Sequence, residues 1–455
     1  MKAIQTIKNI WKIEDLRNKI LFTFLLILVY RFGSFIVLPG VNPEGLKPLE
    51  NQTSEGLMSL LNMFSGGAFS NASIFALGIM PYISASIVVQ LLTIALPYFQ
   101  KIQKDGESGR KKITQLTRYL TVFILLIQGP SYLINLSMQA PDAVPGDFFF
   151  KISSVIIMCA GSMFVMWLGE RITDKGIGNG ISIIILIGIL ARFPDAIAKE
   201  LVSAISGTSG GFIILLLEFV FLFVVIMASI ALVQAVRRIP VQYAKQTAAM
   251  AAKSGSAASR IGGVRQYIPL KVNAAGVMPI IFAQAIMFIP LSVLPFVASD
   301  ETVQSVQNFM NLNSWQYNVV FAFLIIVFTY FYTAITIQPN QMAEDLKRND
   351  GFIPKVKPGA DTAEYIDDVM SKITLPGAIF LAIIAVMPAI VSSLVEVNHQ
   401  FAQFFGGTSL LIMVGVVLDT LQQVEGHLLM HHYDGLMENG PIRGRSGIMS
   451  TNNAE

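Results

Sequence analysis

The stretch IILLLEFVFLFVVIMASIALVQAV, residues 213–236, contains a single ionisable residue, Glu218. About 20 consecutive apolar residues are enough for a helix to cross the hydrocarbon core of a bilayer. The rest of the chain has the same character, because hydrophobic residues make up 53% and charged residues only 13% of its 455 residues. A water-soluble domain carries about 25% charged residues. The composition therefore predicts an integral membrane protein and excludes a soluble enzyme, a secreted disulfide scaffold and a disordered adaptor.

Apolar runs of similar length recur along the whole chain, and each predicts a membrane-spanning helix. The stretch 57–73 is also apolar, but it is too short and too interrupted by Ser65-Gly66-Gly67 to cross a bilayer. The ten predicted spans are residues 20–39, 74–96, 117–137, 152–170, 177–192, 213–236, 273–298, 317–338, 373–395 and 405–424.

The basic residues lie almost entirely on one side of these spans. With the N-terminus inside, 27 of the 32 Lys and Arg residues fall on the cytoplasmic side, in the connections or, for Arg118, at the cytoplasmic end of span 3. The other side holds Lys47, Lys151, Arg192 and Lys199, and Arg31 lies within span 1. Cytoplasmic loops are enriched in Lys and Arg, so both termini and the tail 425–455 are predicted to be cytoplasmic. We expect Arg31 to pair with a neighbouring carbonyl or acid.

Two predicted cytoplasmic loops, 237–271 and 339–372, are longer than a helix–helix turn requires. Ordinary solvated loops would explain their positive charge but not their length. Protruding basic loops favour a docking surface for an acidic partner, including ribosomal RNA.

An internal repeat relates the two halves of the predicted bundle. Span 2 contains GIMPYI (78–83) and span 7 contains GVMPII (276–281), while span 5 opens with GISIII (180–185) and span 10 with GTSLLI (407–412). Five spans per half require the repeat to be inverted in the membrane. The alignment pairs Ile83 with Ile281 and Ile185 with Ile412, and Ile79 and Ile181 lie one helical turn away. These isoleucines line a central passage if the repeat axis runs through one; ordinary core or lipid-facing positions are the alternative.

The motifs of catalysis are missing from the sequence. It has one cysteine, Cys159, and no phosphate-binding loop, paired carboxylates, zinc-protease motif or nucleophile elbow. We therefore expect no enzymatic activity, no catalytic residue, no cofactor and no metal site. Acids within the spans are sparse, whereas an ion-coupled transporter places ionisable groups at the midplane. An inverted-repeat transporter of a small solute is the alternative function.

The sequence resembles a known family, the bacterial SecY proteins, which are central subunits of the general protein translocase. The matching blocks run collinearly through nearly the whole chain and are therefore highly specific. They are residues 64–93, 105–113, 168–185, 237–245, 269–283, 351–366 and 406–419.

The resemblance implies an all-α polytopic membrane protein with ten transmembrane helices in two inverted five-helix halves, 1–207 and 208–455, hinged between spans 5 and 6. It implies a pore ring of Ile79, Ile83, Ile181, Ile185, Ile281 and Ile412. A plug at 57–73, with Leu60, Phe64, Ser65, Gly66 and Gly67, would rest on the ring from outside. Spans 2 and 7 would face each other at a lateral gate that includes Gln90 and Asn273.

The resemblance also implies the surroundings of such a channel. The expected location is the bacterial cytoplasmic membrane. The expected partners are SecE-like and SecG-like small subunits, a SecA-type ATPase motor, the ribosome, signal peptides and membrane lipids. The docking residues would be Arg237, Arg238, Lys245, Arg260, Arg265, Lys347, Arg348, Lys355 and Lys357. The family usually has Arg where this chain has Lys357, which keeps the charge but loses a planar bidentate contact. The loop 237–271 also looks longer and richer in Gly, Ser and Ala than usual.

Overall fold

The structure of the protein, a computed structural model, is dominated by long helices. It describes residues 11, 13–46, 61–206, 211–243, 266–297, 309, 314–394 and 399–438. The helices are α1 (Glu14–Gly33), α2 (Met80–Ala95), α3 (Pro97–Lys104), α4 (Glu107–Gln139), α5 (Phe148–Lys175), α6 (Gly180–Ile205), α7 (Phe212–Gln234), α8 (Met278–Val297), α9 (Trp315–Thr336), α10 (Pro339–Arg348), α11 (Ala360–Leu394), α12 (His399–Ala402) and α13 (Gly407–Glu438). The strands are β1 (Val236–Tyr243), β2 (Gln266–Lys271) and β3 (Gly351–Phe352).

Each of the ten predicted spans coincides with one helix, namely α1, α2, α4 to α9, α11 and α13. Within the described ranges, seven helices are long and apolar enough to cross a membrane by themselves. An eighth is obtained if α2 and α3, which meet at an angle of 104°, count as one broken span. Helix α1 is not among these helices because its ends are charged. Helix α8 is not among them because only the part Met278–Met287 is described as an apolar helix, which is too short to cross a membrane. The predicted class, an all-α polytopic membrane protein, is confirmed.

Several predicted span boundaries differ from the helix ends. Span 1 was expected to end at 39, but α1 ends at Gly33. Span 2 was expected from residue 74, but residues 74–79 form turns and α2 begins only at Met80. Span 5 was expected to end at 192, whereas α6 continues to Ile205 through Pro194. The hydropathy of the sequence falls at Arg192 and Asp195, yet the helix continues, because opposite charges three residues apart are neighbours on a helical surface and are compatible with a helix. The predicted division at 207/208 lies outside the described residues.

The helices pack as a bundle whose outer surface is apolar. Helices α9 and α11 pack against each other, as do α2 and α4, α8 and α9, and α6 and α13. Helix α7 leaves Ile213, Leu217 and Phe223 more than half exposed. Helical spans satisfy their own backbone hydrogen bonds, so an apolar outer surface suits a lipid environment. The polar side chains that remain inside are therefore few and must be explained individually.

A small β-sheet, which the sequence did not predict, joins the two long loops. Strands β1 and β2 pair antiparallel, from Val236 opposite Lys271 to Val241 opposite Gln266, and β3 pairs with the other edge of β1. This sheet, helix α10 and the start of α11 enclose a second hydrophobic core. Its buried members are Ile239, Val241, Leu270, Leu346, Ile353, Ile366 and Met370. We call residues 236–243, 266–271 and 339–372 the loop unit; residues 244–265, with the predicted flexible centre, lie outside the described residues.

Candidate functional site

The two repeated sequence motifs, GIMPYI with GVMPII and GISIII with GTSLLI, are called echoes below. They lie at the starts of four helices, at equivalent positions in the two halves. Met80 begins α2 and Met278 begins α8, and the glycines two residues earlier, Gly78 and Gly276, have φ of 54° and 63°. A proline follows each methionine at a position where a helix does not need the missing N–H. Likewise, the first glycine of the second echo begins α6 in one half and α13 in the other. The repeated motifs therefore adopt the same local structure in both halves.

The isoleucines selected by these echoes belong to one hydrophobic cluster. Ile79, Ile83, Ile185 and Ile412 are buried, with 7% or less of each residue exposed. Ile181 and Ile281 are half-buried and pack against the same cluster. Helix α2 packs against α8, and α6 packs against α13. The four helices that begin at the echoes thus contribute these apolar side chains to a common core.

The apolar stretch before α2 is folded into this core. Leu61 to Phe64 is helical, residues 65–72 form turns, and every residue from 61 to 70 is buried. We call residues 61–79 the buried segment; Leu60 lies outside the described residues. Gly67 has a φ of 92°, and a Cβ added there would lie 2.6 Å from a guanidinium nitrogen of Arg192. Only glycine combines this conformation with so close an approach.

Hydrogen bonds from three different helices hold the buried segment. Nη1 of Arg31 donates to the carbonyl oxygen of Gly66 at 2.9 Å, which confirms the expectation that Arg31 pairs with a neighbouring carbonyl. Nη2 of Arg192 donates to Oγ of Ser70 at 2.8 Å and to Oδ1 of Asn62 at 3.2 Å. In addition, the hydroxyl of Tyr30 donates to the carbonyl of Ser65 at 3.2 Å, and that of Tyr132 to the carbonyl of Phe69 at 2.8 Å.

Sequence reasoning missed Arg192 and Tyr132 as partners of the buried segment. Arg192 was counted as a residue of the external connection because span 5 was ended there. The signal that could have extended the helix is the spacing of Asp195 and Lys199, which stand four residues apart like the charged pairs of exposed helices. Tyr132 carried no signal, because a single tyrosine within an apolar run is compatible with many roles.

The two polar residues expected at the lateral gate lie on the predicted helix pair or next to it. Gln90 is half-buried in α2, and its Nε2 donates to Ser86 on the same helix at 3.4 Å. Asn273 is buried in the turn before α8, and its Oδ1 accepts no hydrogen bond within the described structure. Oε1 of Gln284, buried in α8, is also without a donor there. Buried polar atoms without partners are rare in folded proteins, so these two oxygen atoms near the α2–α8 contact are exceptions.

The predicted docking residues that the structure describes are all exposed on the loop unit. These are Arg237, Arg238, Lys347, Arg348, Lys355 and Lys357. Lys245, Arg260 and Arg265 lie outside the described residues. Arg348 is 4.0 Å from Glu344, a surface ion pair that contributes little stability. Pro358 and Gly359 form a turn before α11, with a φ of 111° at Gly359.

Fold and site together define a polytopic helical membrane protein in which a buried, non-spanning segment packs into the apolar core that the helices share. Comparison with known proteins then identifies the family. The SecY family model matches residues 73–421. A protein translocase subunit SecY of Thermotoga maritima is 39% identical over 97% of this chain and 99% of its own length. One from Streptomyces scabiei is 42% identical over 94% and 98%. The chain belongs to the SecY family.

Solved structures agree at the level of the fold. A structure described as that of a protein-conducting channel has a TM-score of 0.61, 17% sequence identity and 92% coverage of this chain and 94% of that one. Sec61 in a canine ribosome–channel complex has a TM-score of 0.60 at 17% identity, again with 92% and 94% coverage. As a SecY-family member, the chain is a channel subunit of a protein translocase and a multi-pass membrane protein. A small-solute transporter is not supported.

Proposed function

We propose that the chain conducts unfolded, signal-sequence-bearing polypeptides across the bacterial cytoplasmic membrane and releases transmembrane segments sideways into lipid. The observation that carries this proposal is the burial of four echo isoleucines against a segment that does not span the membrane. An apolar constriction leaves water without hydrogen-bond partners, so a narrow closed pore dewets. Ile79, Ile83, Ile181, Ile185, Ile281 and Ile412 form this ring in our proposal.

The plug comprises residues 57–73, of which residues 61–73 belong to the buried segment. Its support is that Phe64 is buried in the same cluster as the isoleucines and that Ser65, Gly66 and Gly67, which follow it, are also buried. One related solved structure, with a TM-score of 0.61, 17% identity and 92% coverage of this chain, is described as showing that the plug domain of the SecY protein stabilises the closed state of the translocation channel. In the present chain the plug and the ring are two barriers in series, so the loss of either one causes only a partial leak of ions.

The lateral gate lies between α2 and α8. Its support is the packing of these two helices and the unsatisfied Oδ1 of Asn273 beside them. A gate whose polar atoms are not fully paired separates at a smaller free-energy cost than a fully bonded one. Gln90 and Asn273 therefore tune the closed state, and a signal helix entering between α2 and α8 supplies new contacts.

The loop unit receives the partner that drives transport, a SecA-type ATPase motor or the ribosome. Its support is the exposure of six basic side chains on a unit with its own core, together with the ribosome-bound state of two related solved structures. SecE-like and SecG-like subunits complete the channel. Both termini face the cytoplasm, and the halves 1–207 and 208–455 open about a hinge between α6 and α7.

Photo-crosslinking tests this function. A crosslinking amino acid replaces Leu91 on α2 or Ile286 on α8, which pack against the central cluster, or Val319 on α9, which is 58% exposed. A signal peptide fused to a stalled polypeptide should crosslink at the first two positions and not at Val319. Equal crosslinking at all three positions, or none, would contradict the lateral gate and the proposed function.

A further inference from the structure

We propose that Arg31 and Arg192 form a clamp that sets how readily the buried segment leaves its closed position, and that Arg192 links this release to movement of α6. The inference rests on the proposed function in which the segment is the plug. We call the two arginines, with their hydrogen bonds to the segment, the arginine clamp. It is anchored in two different helices, α1 and α6.

The clamp grips the segment at three points. Arg31 holds the carbonyl of Gly66 at 2.9 Å. Arg192 reaches Asn62 and Ser70, which are themselves joined by a bond of 3.1 Å from the backbone N–H of Ser70 to Oδ1 of Asn62. The guanidinium group of Arg192 therefore closes a loop of the segment as well as tethering it. Withdrawal of the segment breaks all of these contacts together.

The chemistry of the partners suits a contact that must open. A backbone carbonyl, a side-chain amide and a hydroxyl are neutral, so each bond to a guanidinium group is stronger than a neutral hydrogen bond but weaker than a buried ion pair. Arg31 also lies over the ring of Phe35, 5.3 Å from its centroid. When the segment leaves, this cation keeps a favourable aromatic neighbour, which lowers the cost of the open state.

The link between movement of α6 and release of the segment follows from the positions of four residues along this helix. Ile181, Ile185, Gly188 and Arg192 are spaced by four, three and four residues, so they share one helix face. A Cβ added at Gly188 would collide with the carbonyl oxygen of Phe64, so α6 touches the segment directly there. A shift of α6 that moves the two isoleucines also displaces Gly188 and Arg192. Widening of the ring and release of the segment are then one event.

Alkylation of a cysteine in the segment measures its release directly. The background is Cys159→Ala, and the reporter is Ala68→Cys, at a position with 0% exposure. The protein is reconstituted in liposomes and treated with a membrane-impermeant maleimide. We expect Arg31→Met and Arg192→Met each to speed alkylation about tenfold, a shift of about 1.4 kcal/mol in the opening equilibrium. The alkylation rate of Arg192→Lys should lie between the parental rate and that of Arg192→Met, because lysine keeps the charge but lacks the forked, planar guanidinium group.

Arg118→Met is the matched control. It removes an arginine that pairs with Glu170 at 2.7 Å and has no recorded bond to the segment, so alkylation should stay at the parental rate. If Arg192→Met lowers overall thermal stability, Gly67→Ala replaces it, because the added Cβ displaces the retained guanidinium group; it should speed alkylation likewise. Parental alkylation rates in folded Arg31→Met and in folded Arg192→Met or Gly67→Ala would overturn the clamp.

Resting ion conductance of the same proteoliposomes separates the clamp from the proposed function. Faster alkylation with raised conductance supports both the clamp and the sealing role of the segment. Faster alkylation with wild-type conductance supports the clamp and refutes the segment as a seal. Raised conductance with unchanged alkylation refutes the clamp and leaves the apolar ring as the barrier that the substitution disturbed.

Discussion

At the scale of single residues, isoleucine suits the closed centre of a channel for two reasons. Its side chain is apolar, so it offers no bond that would hold water in the constriction or arrest a passing chain. It is also β-branched and stiff at χ1, so the ring widens by helix movement more than by rotamer changes. Ile83 on α2 and Ile412 on α13 are both almost fully buried, and they come from opposite halves of the repeat.

We predict that Ile83→Asn combined with Ile412→Asn raises resting ion conductance well above that of the wild-type protein while the fold is retained. Asparagine supplies the hydrogen bonds that keep water in the constriction. The measurement is conductance in planar bilayers without substrate or motor. These variants should also transport substrates with weaker signal sequences, because the closed state loses apolar contacts with the plug.

A matched pair of substitutions controls for asparagine itself. Ile205 and Ile213 are 77% and 83% exposed, so Ile205→Asn with Ile213→Asn adds the same groups outside the central cluster. This control should conduct like the wild-type protein. If the folded Ile83 and Ile412 double variant had the resting conductance of the wild-type protein, these two residues would not line the pore.

At the scale of elements, the loop unit shows how a soluble surface is built on a membrane bundle. Residues near the two ends of β1 pair with Lys271 and with Gly351, so the two loops, about 80 residues apart in sequence, share one sheet. Ile239, Val241 and Ile353 are buried beneath it. The basic side chains of the unit are therefore presented by a packed scaffold, which reduces the entropy lost when a partner docks.

We predict that Lys357→Glu impairs motor- or ribosome-driven transport with little effect on thermal stability. The side chain is exposed, and the hydrogen bond of 2.7 Å at this position, from the hydroxyl of Thr362, goes to the backbone carbonyl of Lys357. Reversal of an exposed charge changes folding little but opposes an acidic partner directly. Reconstituted translocation and a melting curve measure the two effects.

The control for this charge reversal is Lys151→Glu, at an exposed position predicted on the opposite side of the membrane. It should transport like the wild-type protein. Unchanged translocation by a normally stable Lys357→Glu variant would show that the tip of this loop does not bind the driving partner.

At the scale of the whole molecule, the charge asymmetry and the order of helices set the orientation of the protein. The predicted cytoplasmic side holds 27 of the 32 basic residues. Helices α7 and α8 flank the strands β1 and β2, so the loop unit and the ends of these two helices lie on the same side. The tail begins within α13, which continues to Glu438 beyond the predicted end of span 10 at 424.

We predict that cysteines at Ser256 and Ser305 label from opposite sides of the membrane in Cys159→Ala vesicles. The first position lies in the loop 237–271 and the second between α8 and α9. The measurement is labelling by a membrane-impermeant maleimide before and after permeabilisation of oriented vesicles. Labelling of both positions from the same side would refute the orientation derived from the basic residues.

The sequence by itself determined the number and order of the membrane helices. Each span is a local run of apolar residues, and the bilayer requires such a run to form a helix of nearly fixed length. The paired motifs GIMPYI and GVMPII likewise begin helices at the same residue, because glycine and proline act on their own backbone. The helix ends were predicted less well: α6 and α13 continue beyond the predicted residues 192 and 424, because charged and polar residues in their later turns end the hydropathy signal before the helix ends.

Only the tertiary structure decided which distant residues meet. Arg192 lies 130 residues from Asn62 and 122 from Ser70, yet one nitrogen bonds to both. Val241 and Ile353 share a core although they belong to different loops. Nothing local marks such pairs, because a guanidinium group can donate to many different oxygen atoms and a valine can pack against many apolar neighbours. The partner is chosen by how α1, α4 and α6 pack around the buried segment, and that packing depends on the whole bundle.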